Sequence, residues 1–196
     1  MRLAYTPAAM DAGPSDEELM LRFGGGDAAA FDALYERHRG GVFRYLLRQC
    51  SNRAAAEELF QDIWMNLVQA RSRYRVEAKF STYLYTLAHN RLIDHFRRHR
   101  SVDLVSLDQE EDDPLELPGA ATLQPERAAE SREQAARFLA LVAELPPPQR
   151  EAFLLQEEGG LTLEEIAGVT GSNREAVKSR LRYALAKLRE GMKDYL

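Results

Sequence analysis

The sequence predicts an all-α protein: two small helical domains joined by a flexible acidic linker, the C-terminal domain carrying a helix-turn-helix. Three observations predict it. Apolar residues recur at three- and four-residue spacing, and no stretch alternates with period two for long enough to make a sheet. Helix-start signals recur ahead of those stripes. The charge is segregated as well. Lys/Arg against Asp/Glu is 15 to 12 over residues 1–100, 3 to 11 over 101–145 and 8 to 8 over 146–196. The formal net charge of -5 therefore hides a basic first half and an acidic middle.

Residues 1–14 show no periodicity and read as a disordered arm. The first domain spans 15–100. Ser15-Asp16-Glu17-Glu18 is a capping box, with Ser15 as cap and Glu18 reaching back. The short helix it opens runs to about Phe23, and Gly24-Gly25-Gly26 ends it. Asp27 caps the next helix, whose stripe is Phe31, Leu34, Tyr35, His38, Val42 and Leu46. Gly40-Gly41 weakens that helix without ending it, because the stripe continues in phase. Asn52 caps a third helix with Ala56, Leu59, Phe60, Ile63 and Leu67 inward. Tyr74 to Lys79 reads as a loop, and Phe80, Leu84, Leu87, Ala88, Leu92 and Phe96 mark a long fourth helix.

Residues 101–125 combine a run of carboxylates with Pro114, Pro118 and Pro125, too little apolar surface to offset ordering, and so predict a flexible tether. The second domain spans 126–196. Phe138, Leu139, Leu141, Val142 and Leu145 supply its first stripe. Pro146-Pro147-Pro148 breaks that helix and starts another, Gln149 to Glu157, which Gly159-Gly160 ends. The single cysteine, Cys50, has no partner for an internal disulfide, and no apolar run approaches the ~20 residues of a membrane span. The expected compartment is the cytoplasm, without membrane insertion.

Thr162-Leu163-Glu164-Glu165 is a second capping box, Gly171 marks a turn, and Ser172 or Asn173 caps a last helix. Two capped helices about a turn are the sequence form of a helix-turn-helix. In the last helix Val177, Leu181, Ala184 and Leu188 face inward, while Asn173, Arg174, Glu175, Lys178, Ser179 and Arg182 lie at its start or on the other face. Residues 172–189 hold six basic side chains and one acid. Such a helix suits the major groove, its first exposed residues meeting base edges and its cations meeting phosphate.

From Arg71 to Arg100 there are eight Lys/Arg and two acids, interleaved with Tyr74, Phe80, Tyr83, Tyr85 and Phe96. Cations beside aromatic faces suit single-stranded DNA. Phe80 and Phe96 lie on the apolar stripe and belong to the core; Tyr74, Tyr83 and Tyr85 are divided between base stacking and surface packing. The third helix carries a polar face of Glu58, Gln61, Asp62 and Met65 at i, i+3, i+4 and i+7. Trp64 and Met65 beside it are read as exposed apolar groups of the kind that mark partner sites.

AAAEELFQDIWMNL (54–67) resembles conserved region 2.2 of the sigma-70 family, FSTYLYTLAHNRLIDHFRR (80–98) resembles regions 2.3 and 2.4, and residues 145–189 resemble region 4. The short tether is similar to that of the extracytoplasmic-function group. The resemblance implies a non-catalytic specificity subunit that binds core RNA polymerase, takes it to promoter DNA and assists melting. It implies that Glu58, Gln61, Asp62 and Met65 dock on the polymerase clamp helices. The -10 element would meet Arg71, Arg73, Tyr74, Arg75, Lys79, Tyr83, Asn90, Arg97 and Arg98. The -35 element would meet Asn173, Arg174, Glu175, Lys178, Ser179 and Arg182, with the same domain on the polymerase flap. The acidic tether would imitate nucleic acid in a basic channel, and an anti-sigma factor would restrain the whole. The sequence departs from the family pattern at Tyr83, where tryptophan is usual, at Thr170 and Ser172, and at Glu175-Ala176.

Two other readings compete. A stand-alone helix-turn-helix regulator accounts for 162–189 but leaves the polar face of 54–67 and the basic-aromatic 71–100 segment unexplained. A metalloenzyme would use His95 and His99 at i, i+4 with His89 nearby, without the Cys or HExxH context such sites need. No cofactor, metal or small-molecule substrate is expected.

Overall fold

The computed structural model describes residues 13–50, 52–102 and 125–195. The expected arm, but for its last two residues, and nearly all of the acidic linker lie outside the described residues. Every regular element described is helical. α1 (Asp16–Gly24) starts at the Ser15 capping box: Ser15 Oγ accepts the Glu18 N–H at 3.2 Å and Glu18 Oε2 accepts the Ser15 N–H at 2.9 Å. Gly26, at φ +100°, turns the chain out of it, a conformation that favours glycine. α2 (Ala28–Cys50) runs unbroken through Gly40-Gly41. Asn52 caps α3 (Arg53–Ala70), its Oδ1 accepting the Ala55 N–H at 2.9 Å. After a 3-10 turn at Arg71–Arg73 and a short loop comes α4 (Phe80–Val102).

These helices bury Met20, Leu34, Leu46, Ile63, Phe80 and Leu84 together. The first amide of α4 is satisfied from far away in the chain: the Glu17 carboxylate of α1 accepts the Phe80 N–H at 2.7 Å. Two expectations fail here. Trp64 is only 5 % exposed. Its ring packs edge-on against Phe31, Tyr35 and Phe60, so the inward face of α3 is broader than its simple stripe. Phe96 stands on the solvent side at 37 % exposure instead of entering the core, because α4 has there run past the helices that cover its earlier turns.

In the second cluster α5 (Pro125–Ala143) leads to α6 (Pro147–Gly159), which begins on proline as helix starts allow and ends where Gly160 turns left-handed at φ +62°. α7 (Leu163–Val169) and α8 (Arg174–Gly191) follow. Leu154, Leu155, Ile166, Val177, Ala184 and Leu188 fill its interior. α5 crosses α8 so closely that a Cβ on Gly191 would lie 2.4 Å from Leu141.

The two clusters are packed on one another, α6 against α2 and α4, and α7 against α4. At Gly41 a Cβ would meet the Glu158 carbonyl oxygen and the Tyr85 hydroxyl, each at 2.9 Å. Tyr85, 1 % exposed, donates its hydroxyl to the Glu158 carbonyl at 2.7 Å. This corrects the surface reading of Tyr85: its ring is core and its oxygen joins the two clusters. Cys50, at the end of α2, is partly buried, and burial pushes its thiol up to about 11.

Candidate nucleic-acid interface

The C-terminal site is built on α7, a turn and α8. Thr162 Oγ1 accepts the Glu165 N–H at 3.3 Å while Glu165 Oε2 accepts the Thr162 N–H at 2.8 Å, so the second capping box is complete. Gly171 takes φ +60° in the turn. Of the two candidate caps for α8, Asn173 serves: its Oδ1 accepts the Ala176 N–H at 2.8 Å. Ser172 instead shares a hydrogen bond with the Thr170 hydroxyl at 2.8 Å. Val177, Leu181, Ala184 and Leu188 are buried, and Arg174, Glu175, Lys178 and Arg182 are exposed, as the two-faced pattern requires; Ser179 is half-buried.

Two of these cations are engaged within the protein. Arg174 is held between the Glu164 carboxylate of α7 and Glu175 at 3.2 Å. Those carboxylates raise its already high pKa, so it stays charged. The Arg182 guanidinium lies 4.9 Å from the centre of the exposed Tyr183 ring. Lys178 stands between them on the exposed face.

The N-terminal site is an open pocket of about 410 Å³ behind the 71–79 segment. Arg73, Tyr74, Arg75 and Tyr83, all expected from sequence, line it together with Glu77, Thr82 and Thr86. Tyr74 is a correction. It is 6 % exposed, edge-on to Tyr83 at 5.2 Å and to Phe80 at 6.4 Å, so it is the pocket's floor and not a free stacking platform. Burial pushes its hydroxyl up to about 12. Tyr74 Oη and Thr82 Oγ1 are buried without a hydrogen-bond partner among the described residues. Buried polar atoms are rarely left this way. Thr82 and Thr86 escaped the sequence reading, although their i, i+4 spacing on the face beside Tyr83 would have found them.

The remaining basic residues do not converge on that pocket. Arg71 donates to the Val68 carbonyl at 2.8 Å and covers the Phe23 ring. Lys79 pairs with Glu165 of α7 at 3.1 Å. Asn90 is exposed on α4, and further along lie Arg98 and Arg97, the latter paired with Asp94 at 2.9 Å. On α3, Glu58, Gln61, Asp62 and Met65 form one exposed face, with Met65 58 % exposed. The His95 and His99 rings lie 4.2 Å apart, tilted at 47°, but among the described residues no three potential metal ligands come together. No described helix is long and apolar enough to cross a membrane.

Comparison with known proteins finds two family matches along the chain. Residues 34–102 match the family description Sigma-70 region 2, and residues 135–188 match Sigma-70, region 4. The chain is 31 % identical over 171 residues to the RNA polymerase sigma factor CarQ of Myxococcus xanthus, covering 87 % of this chain and 94 % of that protein. It is 31 % identical over 169 residues to the ECF RNA polymerase sigma factor RpoE of Cereibacter sphaeroides, covering 85 % and 88 %. The fold resembles that of the sigma factor RpoE in complex with the anti-sigma factor NepR from Bartonella quintana, with a TM-score of 0.63, 22 % identity and coverage of 83 % and 96 %. It also resembles CnrH in complex with the cytosolic domain of CnrY, with a TM-score of 0.62, 20 % identity and coverage of 92 % and 99 %. A region 2 helical unit followed by a region 4 helix-turn-helix defines an initiation specificity factor. The chain belongs to the sigma-70 family of RNA polymerase sigma factors, in its extracytoplasmic-function group, whose members direct RNA polymerase to promoters.

Proposed function

We propose that the two sites divide promoter recognition. α8 enters the major groove of the -35 element, with Asn173, Arg174, Glu175, Lys178, Ser179 and Arg182 at the DNA. The pocket under 71–79 receives an unpaired base of the -10 element. The observation that carries this reading is the pocket itself, whose lining brings Arg73 and Arg75 together with the rings of Tyr74 and Tyr83. Its ~410 Å³ falls in the range of sites that enclose one small molecule, about 300–1,000 Å³. A base stacked there recovers part of the few kcal/mol that unpairing costs. Arg71, Lys79, Asn90, Arg97 and Arg98 then act on the neighbouring backbone instead of inside the pocket. Boundaries near 15–100 and 126–196 suit these two roles, with the acidic 101–125 segment passing through a basic channel of the polymerase between them.

The exposed α3 face of Glu58, Gln61, Asp62 and Met65 is the docking surface for the polymerase clamp helices, and the C-terminal unit meets the flap. The similarity to sigma factors solved with anti-sigma factors supports a restraining partner of that kind here. Transcription with purified core polymerase tests the whole reading: promoter-specific transcripts should depend on this protein. Tight duplex binding without any such transcripts would instead favour a stand-alone regulator.

A further inference from the structure

The two neighbouring glutamates at the start of α7 have different tasks. Glu165 closes the capping box. Glu164 takes no part in the cap, and its side chain stands 64 % exposed. Its carboxylate reaches across the turn and accepts the Nε–H of Arg174. Glu175 accepts from Nη1 of the same guanidinium at 3.2 Å. Arg174 is the first residue of α8, directly after the Asn173 cap. In a helix-turn-helix the first residues of the second helix are the ones that meet base edges. The arginine in that position is thus held from both helices of the motif.

Two features of this grip bear on what Arg174 can bind. The first is charge. Two carboxylates outweigh one guanidinium, so the group offers a phosphate no net attraction. The Glu164 carboxyl is held below its ordinary 4.5 first by its own backbone N–H and then by Arg174, so it is ionised at neutral pH. Lys178 and Arg182, farther along the exposed face, form no ion pair among the described residues and keep their full charge for DNA. The second feature is geometry. A guanidinium carries five N–H donors in a planar fork. One on Nε and one on Nη1 are used, which leaves three for an outside partner. Guanine shows O6 and N7 side by side in the major groove and takes two such donors from arginine.

We propose that Glu164 is a positioning residue for -35 recognition, which orders Arg174 so that its remaining N–H donors face a guanine in the major groove and not the phosphate backbone. The inference rests on the promoter reading above. Glu164 touches no base; it fixes a long side chain before the DNA arrives. An arginine released from it would turn to nearby phosphates, which are alike beside every base pair, so binding would persist while discrimination fell.

Selection from promoter duplexes randomised across the -35 segment tests this, using holoenzyme assembled from core polymerase and the full chain. The wild type should select guanine at a position that Arg174→Ala alone no longer discriminates. Glu164→Ala should lower the preference for that guanine roughly 5- to 10-fold, with little change in binding averaged over the pool. Glu164→Gln, whose amide oxygen still accepts the Nε–H, should recover most of it. The double variant should discriminate no worse than Arg174→Ala, as expected where one residue acts through the other. Thermal melts of the free variants should match the wild type, since an exposed pair adds little stability. Unchanged guanine preference in Glu164→Ala, an equal loss on every sequence, or an Arg174→Ala variant that selects as the wild type does, overturns the positioning role and leaves the promoter reading standing. A wild-type holoenzyme that selects no sequence in the -35 segment removes the promoter reading, and this inference with it.

Discussion

Glu17 shows how far one residue's effect can lie from its place in the chain. Its carboxylate accepts the first N–H of α4, and this hydrogen bond is the main reason its pKa falls below the ordinary 4.5. The depressed value means that the stabilisation is present above about pH 4.5, where an unfolded glutamate is ionised, and is lost as pH falls through the folded value. Glu17→Ala should cost about 1 kcal/mol near neutrality, as loss of a cap does, and little at low pH; denaturant melts at several pH values check this. On α8 the exposed residues separate by what they touch. Lys178→Ala or Arg182→Ala should weaken -35 duplex binding by roughly 1–3 kcal/mol if the side chain reads a base. Titration of several -35 sequences distinguishes the contacts, since loss of a phosphate contact is uniform across sequences. The identity of these α8 residues was legible in the sequence because one helical period separates both faces. Tyr74 and Glu17 were not, since a loop ring's burial and a partner 63 residues away leave no local pattern.

At the scale of elements, the starts of α1, α3 and α7 follow from their capping residues, because a cap acts within three residues and is visible in the chain itself. The start of α8 was ambiguous between Ser172 and Asn173, and only the diversion of Ser172 to Thr170 decides it. Asn173→Ala should therefore lower stability by about 0.5–2 kcal/mol, measurable by thermal melts, while Ser172→Ala should cost less. α3 was read less well. Its stripe was right, but Trp64 was placed outside, since periodicity cannot tell a helix packed on one neighbour from one covered more widely. Removing Trp64 from the surface leaves Met65, Glu58, Gln61 and Asp62 as the exposed face. Substituting Gln61 and Asp62 together by alanine should weaken association with core polymerase without changing helix content; a binding titration beside circular dichroism reads both.

For the whole molecule, sequence separated two helical units correctly but said nothing of their meeting. The contacts that join them, Arg44 and Arg48 with Glu158, Tyr85 with its carbonyl and Lys79 with Glu165, link residues more than seventy positions apart. In its own segment each of the charged residues looks like an ordinary solvated charge, and Tyr85 like a surface aromatic off the stripe. The glycines were visible only as helix punctuation, although Gly41 lies inside an intact helix where close approach explains it. A docked pair should unfold as one cooperative unit. Calorimetry of the wild type should show a single transition, and Glu158→Ala should split it into two, one for each helical unit.

The setting of Cys50 reaches beyond the fold. It is the only cysteine of the chain, and its thiol is held near a pKa of 11 by burial. Oxidants and disulfide exchange act on thiolates, which this site suppresses at physiological pH. The chain also has no second cysteine to complete an internal disulfide. An oxidative stimulus would thus find little purchase on Cys50, and redox control of transcription through cysteine chemistry would have to be sensed by a partner and passed on as a change in binding.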